Sequence, residues 1–241
     1  LLWVHTSNYI IKGFTKEVPL EDIVSIGKKY KIPVIADLGS GSFIDMSKFG
    51  IPSEIPVSEI VKKGPDITLF SGDKMLGGPQ SGIILSTKSL INIIKSNSIY
   101  RTVRCDKITI AILDDILRSY KKNGFLKSNL SLMLLTRDIK NLKKMAEEVI
   151  NSVQEHKLRT LGLTIENSMV EAGSGSLPEK NLKSIALKFS PTDMSIDVLS
   201  KLFKQYKVPI IGYINKNSFF IDLKAVLPSQ SSHIIDAINK V

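Results

Sequence analysis

Short apolar runs alternate with amphipathic stretches along the first hundred residues. Leu1–Val4, Pro33–Ala36, Ile67–Phe70 and Gly82–Leu85 have the length and composition of buried strands. Between the first two, Ile23, Val24, Ile26, Gly27 and Tyr30 recur at helical spacing. Pro19 sits where a first helical turn accepts it, and Glu21 and Asp22 suit the positive end of that helix. Ser58–Lys63 reads as a short helix stopped by Gly64, and Thr87 as the cap of a helix running through Lys95. Such alternation predicts an α/β fold with a mainly parallel sheet.

The pattern changes after residue 107. Asp106–Tyr120 predicts a connecting helix, ended by Lys121-Lys122-Asn123-Gly124. Leu130–Val153 predicts one long amphipathic helix. Leu135, Ile139, Leu142, Ala146, Val149 and Val153 form its apolar face, and Arg137, Lys140 and Lys144 a solvated one. Leu161–Val170, Ile185–Phe189, Ile210–Ile214 and Phe219–Leu223 read as strands, with helices at Ser195–Tyr206 and Ser231–Ile238. Ala172–Ser176 reads as a flexible loop. Residues 1–107 and 108–241 are therefore expected to form two domains, the second a small α/β domain entered through the connecting helix.

Composition narrows the classes. The chain has 241 residues, 43% of them hydrophobic, enough for a sizeable core. No apolar run is long enough for a membrane helix. The single cysteine, Cys105, excludes an intrachain disulfide and points to a reducing, cytoplasmic setting. His5, His156 and His233 are scattered without metal-ligand spacing. The net charge is +10, and residues 121–160 hold nine Lys/Arg against four Asp/Glu. That cluster suits a polyanionic partner and equally suits plain solvation in a lysine-rich chain. The chain opens on Leu1-Leu2-Trp3-Val4 with no methionine, and reads as a piece whose earlier part lies elsewhere.

The candidate chemistry centres on Ser71-Gly72-Asp73-Lys74-Met75-Leu76-Gly77-Gly78-Pro79-Gln80, a turn between two apolar runs. A lysine near an apolar wall or another cation loses basicity and becomes nucleophilic, ready to form a Schiff base with a carbonyl cofactor. The commonest such cofactor is pyridoxal 5′-phosphate (PLP), which also needs an acid against its ring nitrogen. Asp37, closing the Pro33–Ala36 strand, is the candidate, and Ser71 is a candidate for the cofactor phosphate. Gly77 and Gly78 would let backbone approach closely. Asp37 also precedes Leu38-Gly39-Ser40-Gly41, but a dinucleotide fingerprint would need glycine where Ile44 stands. The ends of three strands thus converge on His5–Asn8, Asp37 and Ser71–Lys74, the side on which ligands bind in parallel sheets.

Four segments occur in order: His5-Thr6-Ser7-Asn8-Tyr9, Asp37-Leu38-Gly39-Ser40-Gly41-Ser42, Ser71–Gln80 and Arg101-Thr102-Val103-Arg104-Cys105-Asp106-Lys107. Together they resemble bacterial selenocysteine synthase, the L-seryl-tRNA(Sec) selenium transferase family. The resemblance is dense over residues 1–107 and thin beyond. It implies a PLP-dependent transferase fold of the aspartate-aminotransferase type, with the later part of the large domain followed by the small domain. It implies conversion of seryl-tRNA(Sec) to selenocysteinyl-tRNA(Sec) through an aminoacrylyl intermediate, with selenophosphate as selenium donor. On this footing Lys74 and Asp73 would be catalytic. Lys74, Asp37, Ser71, His5 and Asn8 would bind cofactor, and Arg101 and Arg104 would bind the phosphate of selenophosphate. The family also implies a homo-oligomer, a dimer at least and a decamer by resemblance. The ring-stacking and phosphate-cradling groups would precede Leu1, so residues 1–241 alone are expected to be inactive. A PLP-dependent lyase or family paralogue acting on a small amino acid, and a non-catalytic RNA-binding module, remain as alternatives.

Overall fold

A computed structural model describes residues 1–6, 11, 13–51, 55–122, 124–171 and 182–241. The chain folds as two compact units, Leu1–Thr136 and Arg137–Val170 with Asn181–Val241.

The first unit carries a four-stranded sheet in chain order: β1 (Leu2–Val4), β2 (Ile35–Asp37), β3 (Ile67–Ser71) and β4 (Gly82–Ser86). β1, β2 and β3 are parallel, in the register Val4–Asp37–Leu69. β4 returns antiparallel to β3, because the connection over residues 72–81 is too short for a crossover. α1 (Leu20–Tyr30) joins β1 to β2 and α2 (Val57–Lys62) joins β2 to β3. Their buried faces, Leu20, Val24 and Ile60, pack with Val34, Ala36, Leu38 and Phe70. α3 (Lys88–Ser96) starts at Thr87, whose hydroxyl accepts from Leu90 N.

Four further helices complete the unit: α4 (Ser98–Val103), α5 (Lys107–Ser119), α6 (Phe125–Ser128) and α7 (Leu130–Leu135). Asp106 caps α5 by accepting from Thr109 N at 2.8 Å. Leu113, Ile116 and Leu117 of α5, with Tyr120 just beyond it, pack against the first core.

The second unit is a two-layer α/β sandwich. Its antiparallel sheet has the order β5 (Thr164–Val170), β6 (Leu182–Phe189), β8 (Ser218–Asp222), β7 (Tyr213–Asn215). α8 (Ile139–Ser152), α9 (Glu155–Thr160), α10 (Ile196–Gln205) and α11 (Ser231–Lys240) supply its helices. Leu142 and Val149 from α8, Phe203 from α10 and Ile234 from α11 meet Leu187, Phe189 and Phe219 in one core. Phe189, Phe203 and Phe219 form a trio with ring centroids 5.3–5.9 Å apart. The β7–β8 hairpin turns on Lys216 and Asn217, both at positive φ, the geometry of a two-residue turn matched to strand twist.

The long helix expected over Leu130–Val153 is two helices, α7 and α8, broken at Thr136–Asp138. Asp138 restarts the helix by accepting from Lys140 N at 3.1 Å. Arg137 does not lie on a solvated face with Lys140 and Lys144. Its guanidinium donates to the carbonyls of Leu223, Lys224 and Val226 at 2.5–3.0 Å, while Lys224 Nζ donates back to the Arg137 carbonyl at 3.1 Å. One guanidinium nitrogen, Nη1, therefore lies within reach of all three carbonyls in the turn after β8. Arg137→Ala is expected to lower unfolding stability by about 2–4 kcal/mol, and Arg137→Lys, which keeps the charge and its donors, to recover part of it. Chemical denaturation of the three proteins checks this; a loss within experimental error for Arg137→Ala would assign the break in the helix to Asp138 alone.

Candidate functional site

The site is assembled by strand ends. After β1 the backbone N–H of His5 donates to the Asp37 carbonyl at 2.8 Å. After β2, Leu38 N donates to the Leu69 carbonyl at 2.9 Å, and Ser71 N donates to the Gly39 carbonyl at 2.9 Å. The parallel pairing thus continues past the strands into the loops that hold the candidate residues, and His5, Asp37 and Ser71 come together at one edge. His5 lies stacked on Trp3, ring centroids 5.9 Å apart, and the Trp3 indole donates to the Val18 carbonyl. Asp37 is half-buried, and one carboxylate oxygen accepts from Gly39 N at 3.0 Å. Ser40 and Ser42, in the loop after Asp37, are almost fully buried. The Ser42 hydroxyl donates to the Ile44 carbonyl and its own carbonyl accepts from Val57 N, which ties this loop to the start of α2.

Lys74 follows in a tight turn beyond β3. Gly77 N donates to the Lys74 carbonyl, Gly78 N to the Gly72 carbonyl and Gly72 N to the Ser81 carbonyl, all at 2.8–2.9 Å. Met75 and Leu76 are buried, Lys74 is half-buried and Asp73 is exposed. Two glycines make the turn possible. A Cβ on Gly72 would strike the Ser81 hydroxyl, and one on Gly77, at φ 71°, would strike the Asn129 carboxamide. This donor set fits PLP: a half-buried amine on a fixed turn, a carboxylate at the adjacent strand end and a serine hydroxyl beside them. Asn8 lies outside the described residues.

Arg101 and Arg104 lie elsewhere on the first unit. Arg101 is on α4, Arg104 is the residue that ends it, and both are exposed. They line a cleft of about 840 Å³ with Cys105, Asp106, Lys107, Ile110, Ala111 and Asp114. Asp106 is engaged by Thr109, and Asp114 pairs with Arg118 at 2.7 Å. Among the described residues neither Arg101 nor Arg104 has an ion-pair partner. The cleft and the Lys74 turn are joined through α5: Ile110, Ala111 and Asp114 line the cleft, and Leu113 lies against Gly78.

Two residues around the Lys74 turn carry no mark in the sequence pattern. Tyr120 and Asn129 both donate to the Leu76 carbonyl at 2.8 Å. The only signals were local: Tyr120 closes a helical pattern, and Asn129 stands where a helix cap belongs.

Among solved structures, D-glucosaminate-6-phosphate ammonia-lyase superposes with a TM-score of 0.59 at 16% identity, over 99% of this chain and 56% of that one. The shared fold is α/β, of the aspartate-aminotransferase type, with the later part of the large, mainly parallel-sheet domain and the small C-terminal domain. An L-seryl-tRNA(Sec) selenium transferase from Carboxydothermus hydrogenoformans is 38% identical over 230 residues, 95% of this chain and 49% of the relative. One from Haemophilus ducreyi is 39% identical over 242 residues, 100% of this chain and 52% of the relative. The chain thus spans about half the length of the curated relatives it matches. No helix among the described residues is long and apolar enough to cross a membrane. The sequence profile of L-seryl-tRNA selenium transferase matches residues 1–227, the region that holds every residue of the site, and the chain belongs to that family.

Proposed function

We propose that the protein converts seryl-tRNA(Sec) to selenocysteinyl-tRNA(Sec), using PLP as cofactor and selenophosphate as selenium donor. The observation that carries this reading is the gathering of His5, Asp37, Ser71 and the Lys74 turn at the C-terminal edge of three parallel strands, in a chain of this family. PLP, when bound, supplies an electron sink that makes the α-proton of serine acidic. Lys74 would hold the cofactor through Nζ and, once displaced by the serine amine, accept and return protons at that atom. Asp37, an acceptor when ionised, would hold the ring-nitrogen proton. Ser71 would donate to the cofactor phosphate, and His5 and Asn8 would flank the ring. Asp73, exposed beside Lys74, would assist proton transfer as the serine hydroxyl leaves. Arg101 and Arg104 would bind the phosphate of selenophosphate. The protein is read as a cytoplasmic homo-oligomer, with residues 1–107 as the later part of the cofactor-binding domain and 108–241 as the connecting helix and the small domain.

The test is borohydride reduction of the full-length protein with PLP, followed by peptide mapping, with selenium transfer to seryl-tRNA(Sec) measured in parallel. The label is expected on Lys74, with selenium transfer to the charged tRNA and no turnover of free serine. Turnover of a free amino acid without activity on the tRNA would make the protein a lyase. RNA binding with no PLP uptake would make it a binding module.

A further inference from the structure

The Lys74 turn is held from behind by two side chains distant in sequence. The Tyr120 hydroxyl and the Asn129 carboxamide both donate to the carbonyl of Leu76, two residues past Lys74, at 2.8 Å each. The two donors also touch, with Asn129 Nδ2 3.4 Å from the Tyr120 oxygen. Asn129 is 1% exposed, and its side-chain oxygen accepts from Leu132 N at 3.1 Å, so it caps α7 with one end and grips the turn with the other. Tyr120 is wedged between Phe43 and Phe125, ring centroids 5.4 Å away on each side. Burial holds its phenol well above the usual tyrosine range, so the hydroxyl remains a donor at any working pH. Gly77 fits its backbone against Asn129 with no room for a Cβ. A buried phenol and a buried carboxamide each need an acceptor, and here both take the same one, a carbonyl inside the Lys74 turn. That shared choice ties the position of the turn to two side chains distant in sequence.

We propose that Tyr120 and Asn129 are positioning residues for Lys74, fixing the Lys74–Gly77 turn so that Nζ is presented to the cofactor carbonyl in one orientation. The inference rests on Lys74 being the cofactor-bearing amine. Neither residue touches substrate or cofactor; both act through the Leu76 peptide. Small misplacement of a reacting group costs about a hundredfold in rate. Loss of one of two donors should therefore slow imine formation by roughly tenfold.

The test mixes the cofactor-free full-length protein with PLP and follows the rate at which the visible lysine–cofactor band grows. Tyr120→Phe keeps the ring and removes one donor. Asn129→Asp keeps the oxygen that caps α7 and replaces the donor by an acceptor facing the Leu76 carbonyl. Both are expected to slow band formation about tenfold while final PLP occupancy stays within about threefold of the parent. The two variants should separate with pH. A buried aspartate has a raised pKa and, once protonated, regains an O–H donor. The rate of Asn129→Asp relative to the parent should thus recover as pH falls, whereas the ratio for Tyr120→Phe stays flat. Rates equal to the parent in both variants, with only the melting temperature lowered, would reduce the pair to structural roles. If Asn129→Asp does not fold, an unchanged rate in Tyr120→Phe alone overturns the proposal. Lys74→Ala separates the two readings: a band still forming in that variant defeats the assignment of Lys74, and no band there with parental rates in the other two defeats only the positioning role.

Discussion

Lys74→Ala is expected to abolish the visible band of the PLP-loaded full-length protein and to lower selenium transfer by about 10²–10⁴-fold or more. The side chain is half-buried, and the turn is held by its backbone: the Lys74 carbonyl accepts from Gly77 N, and Gly78 N reaches the Gly72 carbonyl. Alanine keeps all of these bonds, so the fold and the strand-end edge around Asp37 should survive the change. Any PLP retained through Ser71, His5 and Asp37 would then be free aldehyde, removed by dialysis and not fixed by borohydride. Absorption spectra before and after dialysis, thermal melts and transfer assays on the same preparation distinguish loss of chemistry from loss of structure. A reducible linkage surviving on another lysine, such as Lys88 or Lys95, would move the site off the turn altogether.

Much of this site was legible because it is written locally. Apolar runs mark β1 to β3, and a residue that closes such a run sits at a strand end by construction; Asp37 and Ser71 needed no knowledge of long-range contacts. The orientation of β4 was also within reach, since residues 72–81 cannot form a crossover. The clamp on the Lys74 turn was not legible. Tyr120 and Asn129 stand 44 and 53 residues from Leu76, and a single side chain reaching a single carbonyl leaves no period in the sequence. The break between α7 and α8 was hidden for a related reason. Leu135, Ile139 and Leu142 continue an apolar stripe across it, while the cause of the break, Arg137 captured by carbonyls 86 to 89 residues away, is tertiary.

For Arg101 and Arg104 the expected result is loss of selenium transfer with the lysine–cofactor band intact. Arg101 lies on α4 and Arg104 directly follows its last residue, so one short helix and its exit present both guanidinium groups to the same cleft. The carboxylates that could have neutralised them are engaged: Asp106 caps α5 through Thr109, and Asp114 pairs with Arg118 one turn along. Two exposed, permanently charged forks left facing a cleft of about 840 Å³ suit a phosphate, which each can bind through paired N–H donors. Hydrogen bonds to a charged group contribute about 1.5–3 kcal/mol, so Arg101→Ala or Arg104→Ala should each weaken use of limiting selenophosphate by about ten- to a hundredfold. The double variant should nearly stop transfer. Lysine at either position should recover part of the loss, since it restores charge without the planar fork. Because α5 lines the cleft with Ile110 and Asp114 and touches the Lys74 turn through Leu113, a collapse of α5 would also disturb the cofactor band. The band therefore serves as an internal control. Transfer at limiting selenophosphate, measured beside the absorption spectrum, decides among three outcomes. Lost transfer with a parental band places the phosphate between the two arginines, unchanged transfer removes both from the site, and a lost band reassigns them to the cofactor or to the packing of α4 and α5.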